Sequence, residues 1–321
     1  MSTKIRELSW SLSRARLFEE CPRRFYYQNY FAKMGQYPDA PDDAALAAEM
    51  ARVKGLDMWV GEVVHGTIQW VLECVKDGRH PTDSEAKVEA RRRLSEGWQS
   101  SVRQLWRTHR DDDHPSLFEH YYKIPVTPGM TDRIKNKAFA CIDNFMGSDL
   151  LKSIVSITSD KWLPIEKFAS FRLDGLLFYI KFDFALRDGS DIIVYDWKTG
   201  NPTEQENKQL ACYALYASER FDVPIENVRV SAVHLQPVLD ANERYVQEDD
   251  IESARSFAKQ SFSAMLNCLR DPARNRAAMD DFPMTGNFLR CSRCSFRGIC
   301  IQGKQASGDI DDLPVVDDWD A

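Results

Sequence analysis

Asp183 and Asp196 bracket a short polar turn in this sequence, and Lys198 follows the second acid by two positions. Residues 176–184 alternate strictly. Leu176, Phe178, Ile180, Phe182 and Phe184 fall on one face of an extended chain, while Tyr179, Lys181 and Asp183 fall on the other. In residues 192–198 the same rule groups Val194, Asp196 and Lys198. A hairpin through Arg187-Asp188-Gly189-Ser190-Asp191 then sets the two carboxylates on one face with the ammonium a pleat away. Paired carboxylates repel and raise each other's pKa unless a cation neutralises them. A hard divalent ion, Mg²⁺ or Mn²⁺, accepts such oxygen ligands. Taken alone, D-x-K also fits a solvent-facing strand with a weak cross-strand ion pair.

A second chemical cluster lies near the C-terminus. Cys291-x2-Cys294-x5-Cys300 gathers three thiols around Gly298, which permits a tight turn. Three local thiolates need a fourth ligand, and four thiolates suit either Zn²⁺ or a [4Fe–4S] cluster. Cys74, Cys141, Cys212 and Cys268 lie within helical patterns and read as small core residues.

The elements that must position these groups follow a simple order. Residues 11–34 read as a helix, or as two short helices meeting near Cys21 because Pro22 interrupts the pattern. Residues 46–76, 84–110 and 131–152 have helical spacing. Strands are expected at 163–173, 176–186, 192–198, 228–235 and 244–247, with helices at 204–219 and about 249–269. Helices followed by β-β-β-α-β indicate an α/β core carrying a helical insertion. Composition agrees: 43% hydrophobic and 28% charged residues exclude collagen-like and mostly disordered chains. No apolar run reaches the roughly 18 residues of a membrane span. The N-terminus lacks an apolar signal core, so a cytoplasmic location is expected, with clustered cysteines read as metal ligands before disulfides. Of the net charge of −7, six negative charges come from Asp residues after Lys304. Nucleic-acid contact would therefore rest on local clusters: Arg14, Arg16, Arg23 and Arg24; Arg91–Arg93; and Arg290, Arg293 and Arg297. Each also fits a solvated helix face. The tail reads as solvating sequence, or as a partner-docking segment through Leu313, Val315, Val316 and Trp319.

Asp183 with Asp196-Trp197-Lys198-Thr199-Gly200 resembles the core of the PD-(D/E)XK nucleases, in their RecB-like branch. Further segments match in order: Gly61-Glu62-Val63-Val64-His65 (G-x-x-x-H), Gln209 with Tyr213 (Q-x-x-x-Y), and Ser11-x-Ser13 through Cys21-Pro22-Arg23-Arg24-Phe25. The last is similar to members with an iron–sulfur cluster, such as the CRISPR-associated exonucleases of the fourth Cas family and the AddB nuclease domain. The match spans 11–301, but 78–160 matches nothing placed. Ile180 stands where the family often has Gly, and the second acid is Asp, as is usual in this branch.

The resemblance implies a restriction-endonuclease-like core, a mixed central sheet flanked by helices, with an N-terminal helical insertion and a Cys-rich C-terminal segment. Its parts would be 1–34, carrying Cys21; 46–160, with the His65 motif; 161–270, the nuclease core; 271–304, binding the cluster; and the tail 305–321. It implies His65, Asp183, Asp196 and the Trp197 carbonyl as ligands of Mg²⁺ or Mn²⁺, and Lys198 as the group that activates water or stabilises charge. Gln209 and Tyr213, one helical turn apart, would orient the lysine or a DNA phosphate. Glu62 and Gln69 share the His65 face, and Glu166 is a candidate for the rim. Cys21 would join Cys291, Cys294 and Cys300, with iron–sulfur favoured over Zn²⁺. The implied activity is hydrolysis of single-stranded DNA or duplex ends, in repair, recombination or CRISPR-related processing, alone or with a helicase or integrase. Without a Walker A sequence the chain is not itself a helicase. The competing reading is a non-catalytic DNA-binding or assembly subunit, against which the intact His65, Asp183, Asp196 and Lys198 set argues.

Overall fold

The computed structural model describes residues 7–37, 39–109, 111, 113–163 and 169–308. Glu166 and the acidic tail from 309 onward, with Leu313, Val315, Val316 and Trp319, lie outside the described residues.

Ser11 caps α1 (Leu12–Glu20) by accepting the Arg14 N–H at 3.2 Å. The helix stops at Cys21, which is extended and caps α2 (Pro22–Tyr26), where Pro22 takes the first-turn position that needs no N–H donor. The chain therefore breaks at Cys21. A π-helical turn, Tyr27–Phe31, follows. The expected 46–76 helix is two helices. The first, Asp42–Met50, ends before Val53–Lys54, which pairs in parallel with Ser116–Leu117. Gly55 then starts α3 (Leu56–Lys76), which buries Val60, Val64, Ile68 and Val71. A Thr82–Glu85 capping box opens α4 (Asp83–Val102), so the 84–110 helix ends early. The 131–152 helix divides at Gly147-Ser148 into α5 (Pro128–Met146) and Asp149–Ser156. No described helix is long and apolar enough to cross a membrane.

β1 (Ala169–Leu173) and β2 (Leu176–Ile180) form a separate antiparallel pair, to which Trp10 adds by a parallel bridge. β3 (Phe184–Asp188) and β4 (Asp191–Lys198) are the expected hairpin, with Phe184 opposite Tyr195 and Gly189 at φ +59° in the turn. After α6 (Glu206–Phe221), β5 (Val228–His234) pairs parallel to β4. Antiparallel β6 (Asp240–Ala241) and β7 (Arg244–Tyr245) complete a mixed five-stranded sheet. α7 (Glu248–Asn267) follows, held to Trp10 through Ser261. The sheet separates two cores. Ile192, Val194, Val228 and Val230 pack toward α1, α6 and α7, while Ile193, Tyr195, Trp197 and Val233 pack toward α3, α4 and α5. This is the mixed α/β, helix-flanked arrangement expected.

The strand expected at 176–186 is corrected as well. Residues 176–186 are not one strand, because the chain leaves β2 after Ile180 and re-enters the sheet at Phe184. Phe178, Ile180 and Phe182 belong to one core and Phe184 to the other, so they do not share a face. The break is held by side chains: Tyr213 donates to the Lys181 carbonyl at 2.8 Å, and the Trp197 N–H turns to the Asp183 carboxylate at 2.8 Å.

Candidate active site

Asp196 and Lys198 continue the face of β4 that carries Ile192 and Val194, toward α6. Both lie at the carboxyl end of a strand whose parallel neighbour is β5. Asp183 sits in the break before β3, directly preceding the Phe184–Tyr195 pair. Four separate elements thus converge. His65 on α3 places Nδ1 3.0 Å from Asp183 Oδ1, and Oδ2 of the same carboxylate accepts the Trp197 N–H. The Tyr213 hydroxyl on α6 also lies 3.1 Å from Asp196 Oδ1, so its single proton is shared between that oxygen and the Lys181 carbonyl. The Lys198 ammonium pairs with Asp196 Oδ2 and donates to Gln209 Oε1 at 2.8 Å, while Gln209 Nε2 donates to the Tyr213 hydroxyl at 2.7 Å. His65, Asp183 and the Trp197 N–H form one hydrogen-bonded group and Asp196, Lys198, Gln209 and Tyr213 a second, the two adjoining along the backbone of β4, while the Trp197 indole packs on Phe145 and Tyr195.

Burial sets the electrostatics. Burial pushes Asp183 upward, but the His65 charge and hydrogen bonds from His65 and Trp197 outweigh it and hold the carboxyl below the usual range. Burial pushes Asp196 up, the Asp183 charge adds to this, and Lys198 offsets only part. Burial depresses His65, yet the adjoining Asp183 raises it overall. Burial, then Asp196 and Asp183, keep the Tyr213 phenol well above 10. The two acids are therefore unequal: Asp183 is satisfied within the protein, and Asp196 lacks compensation.

That inequality bears on the metal. Among the described residues no group of three or more His, Cys, Asp or Glu converges tightly enough to enclose an ion. The donor chemistry nevertheless fits a hard divalent cation, because Asp196 Oδ2 is buried with the lysine charge beside it but no hydrogen bond of good geometry. Glu62 and Gln69 do not join the site. Glu62 pairs with Lys54 at 2.6 Å and Gln69 donates to Glu73.

The chain ends meet at the second cluster. Arg23 anchors α2 to the Cys-rich segment through its N–H to the Pro283 carbonyl and its Nε to the Phe282 carbonyl. Cys21 and Cys300 stand near enough to Cys291 and Cys294 to raise those two thiols, no disulfide joins the four, and as placed they do not enclose an ion. Cys21 Sγ accepts the Arg24 N–H and Cys294 Sγ the Phe296 N–H, both at 3.4 Å. Burial pushes Cys294 up to about 11 and raises Cys291 too, so these are neutral thiols unless a metal draws off their protons. Cys141, pushed up by burial to about 11, and Cys212, to about 12, are core thiols as expected.

Two features were not foreseen. His234, at the end of β5, contacts the Gly200 carbonyl through Nδ1 at 3.2 Å and Glu206 through Nε2 at 3.0 Å, which ties the loop after Lys198 to the start of α6. The legible signal is a histidine at the carboxyl end of a parallel strand. Gly61 approaches the same loop, since a Cβ there would stand 3.3 Å from Thr199 Oγ1. Of the basic clusters, Arg92 and Arg93 pair with Glu89 or Glu96 and Arg91 covers Phe139, as on an ordinary solvated helix. Arg297 stacks 4.1 Å over Tyr122, and Arg290 and Arg293 are exposed.

No curated protein matches the chain. Two solved structures share weak likeness. One is a candidate exonuclease from Eubacterium rectale, at 12% identity and TM-score 0.30 over 59% of this chain and 75% of that one. The other is the protein SSO0001, at 16% and 0.25 over 54% and 78%. Scores this low carry no argument. The family model of the PD-(D/E)XK nuclease superfamily matches residues 9–301, taking in both clusters and the whole sheet. This chain belongs to the PD-(D/E)XK nuclease superfamily.

Proposed function

We propose that this nuclease is a metal-dependent deoxyribonuclease of the RecB-like branch that hydrolyses phosphodiester bonds in single-stranded DNA or at duplex ends. The carrying observation is the convergence of His65, Asp183, Asp196 and Lys198 from distant parts of the chain, with Lys198 bridging Asp196 and Gln209. His65, Asp183, Asp196 and the Trp197 carbonyl would hold Mg²⁺ or Mn²⁺, which when bound supplies a water of lowered pKa and a counter-charge for the phosphate. His65 and the Trp197 N–H fix the Asp183 carboxylate. Lys198 offers an ammonium to the charge that grows on the phosphate oxygens as water attacks phosphorus and the ester P–O bond breaks. Gln209 and Tyr213 restrict that ammonium to one direction, and Tyr213 also holds Asp196.

Cys21, Cys291, Cys294 and Cys300 would carry a [4Fe–4S] cluster, with Zn²⁺ as the alternative. Their gathering and the resemblance of the Cys21 segment support this. The cluster would join residues 1–34 and 271–304 beside the 161–270 core, with 46–160 presenting His65. Action with a helicase or integrase belongs to the same reading. The test is incubation of end-labelled single- and double-stranded DNA with Mg²⁺, Mn²⁺ or EDTA. Metal-dependent loss of label supports the reading, and no cleavage with either ion supports a DNA-binding subunit.

A further inference from the structure

α1 and α2 meet at Cys21 at an angle that turns Arg16 and Arg24 to one cleft of about 270 Å³, also lined by Ser13, Glu20 and Gln209. Both guanidinium groups are incompletely satisfied. Arg16 donates through Nε to Gln205, but its Nη2 is buried without a partner. Arg24 reaches Glu20 through Nη1 at 3.4 Å, but its Nε is likewise buried and unpartnered. A buried donor left unsatisfied is destabilising, because it has lost its water without gaining a partner. Both arginine side chains border one opening, and an acceptor entering it would draw their guanidinium groups out of this under-satisfied arrangement.

The neighbouring cations are already engaged. Arg52 donates to the carbonyls of Trp106, His109 and Asp111, and Lys54 pairs with Glu62. The cleft borders the candidate catalytic centre, because Gln209, at its wall, accepts a hydrogen bond from the Lys198 ammonium. A larger cleft of about 580 Å³ shares Ser13, Leu17 and Arg24 with it and runs on to Lys54 and Glu62, the latter on the helix of His65. Arg24 stands where the two join.

We propose that Arg16 and Arg24 form a phosphate clamp that grips the backbone of the bound strand beside the cleavage centre. The planar guanidinium fork presents parallel N–H donors that match two phosphate oxygens. The proposal rests on the nuclease reading above and names the subsite that holds the substrate. The same chemistry is offered by an internal phosphodiester and by a 5′-terminal phosphate.

The test uses full-length protein in a Lys198→Ala background, so that bound DNA is not cut. A short fluorescein-labelled single-stranded oligonucleotide, with a 5′-phosphate or a 5′-hydroxyl, is titrated by anisotropy across a salt series. Arg16→Gln/Arg24→Gln should lower affinity at least about tenfold and reduce the slope of log K against log salt by about 0.7 for each phosphate no longer gripped. Arg16→Lys/Arg24→Lys should regain part of both. Equal loss on the two oligonucleotides assigns an internal phosphate, and loss confined to the phosphorylated one assigns the terminus. If thermal unfolding shows the double Gln variant to be misfolded, Arg24→Gln alone is measured and must show the same reduction. An unchanged affinity and slope in the Gln variant overturn the clamp while cleavage by the unmutated protein keeps the nuclease reading. A parent that binds neither oligonucleotide at any salt overturns both.

Discussion

Lys198→Ala removes one charge with two separable consequences. The ammonium pairs with Asp196, whose side chain is 7% exposed, while the lysine itself is 22% exposed. Deleting one partner of a fully buried pair costs about 3–5 kcal/mol. Water at the lysine end, and protonation of an Asp196 already raised by burial, reduce this to about 1–2 kcal/mol. At roughly 2–4 °C per kcal/mol, Tm should fall by about 2–8 °C, and the protein should remain folded. Cleavage should fall further, by about 10²–10³-fold, as when one preorganised donor is taken from a charge-stabilising site. Asp196→Asn keeps the shape of the carboxylate without its charge, so Lys198→Ala/Asp196→Asn leaves no buried unpaired carboxylate. That double variant should regain much of the lost Tm yet stay inactive, because the two residues are coupled in stability and each is needed for chemistry. Single-turnover cleavage of an end-labelled oligonucleotide with Mg²⁺, alongside thermal unfolding by circular dichroism, reads both quantities. Lys198→Ala protein, free of contaminating nuclease, that cuts within tenfold of the parent would refute the assignment of the site. A double variant no more stable than Lys198→Ala would refute the ion-pair argument.

Anaerobically purified protein should be brown with about four irons per chain, and Cys291→Ala should lose the metal and much of its solubility. Colourless protein with one zinc would replace the cluster assignment. Binding of Mn²⁺ should release protons and tighten as pH rises, because Asp196 and His65 both hold protons above their ordinary ranges and must lose them to become ligands. Calorimetry in buffers of different ionisation enthalpy reads that release, and its absence would contradict the assigned ligands. Gly61→Ala should lower kcat more than Tm, since the new methyl presses Thr199 in the loop after Lys198 while the helix gains about 1 kcal/mol of propensity. Unchanged kcat would show that this contact does not position the loop.

The hairpin that carries Asp196 was legible because two local signals agree: alternation along β4 and a Gly-containing turn at Gly189. The break at Cys21 was legible from Pro22, which cannot donate an interior helical hydrogen bond. The break at 181–183 was not. Phe182 and Phe184 are both apolar, so the period of two runs through it unbroken. Only the sheet reveals that they serve opposite cores. The interruption between Asp42–Met50 and α3 was equally hidden, since Ala44, Ala47 and Met50 extend the helical spacing and Gly55 is the sole local mark. The roles of Arg16 and Arg24 depend on which donors stay unpaired after folding, a property no spacing encodes.

The two carboxylates also differ in what holds them. Asp196 sits on a strand fixed by both cores, so its position follows from hydrophobic burial on either side of the sheet. Asp183 lies in a segment without ladder bonds, and its orientation depends on His65, on the Trp197 N–H, and on Tyr213 holding the preceding Lys181 carbonyl. These partners come from α3, β4 and α6, so Asp183 reaches its place only when all three have assembled around it. A site built this way is specified by the completed fold and by no single motif. Lys198 completes the arrangement, since its charge stands beside Asp196 Oδ2, a buried carboxylate oxygen that receives no hydrogen bond. Without a bound cation that ammonium is the nearest compensation for Asp196. A cation held at the carboxylates would take over that compensation, and the same ammonium, kept in place by Gln209, would then be free to face a phosphate.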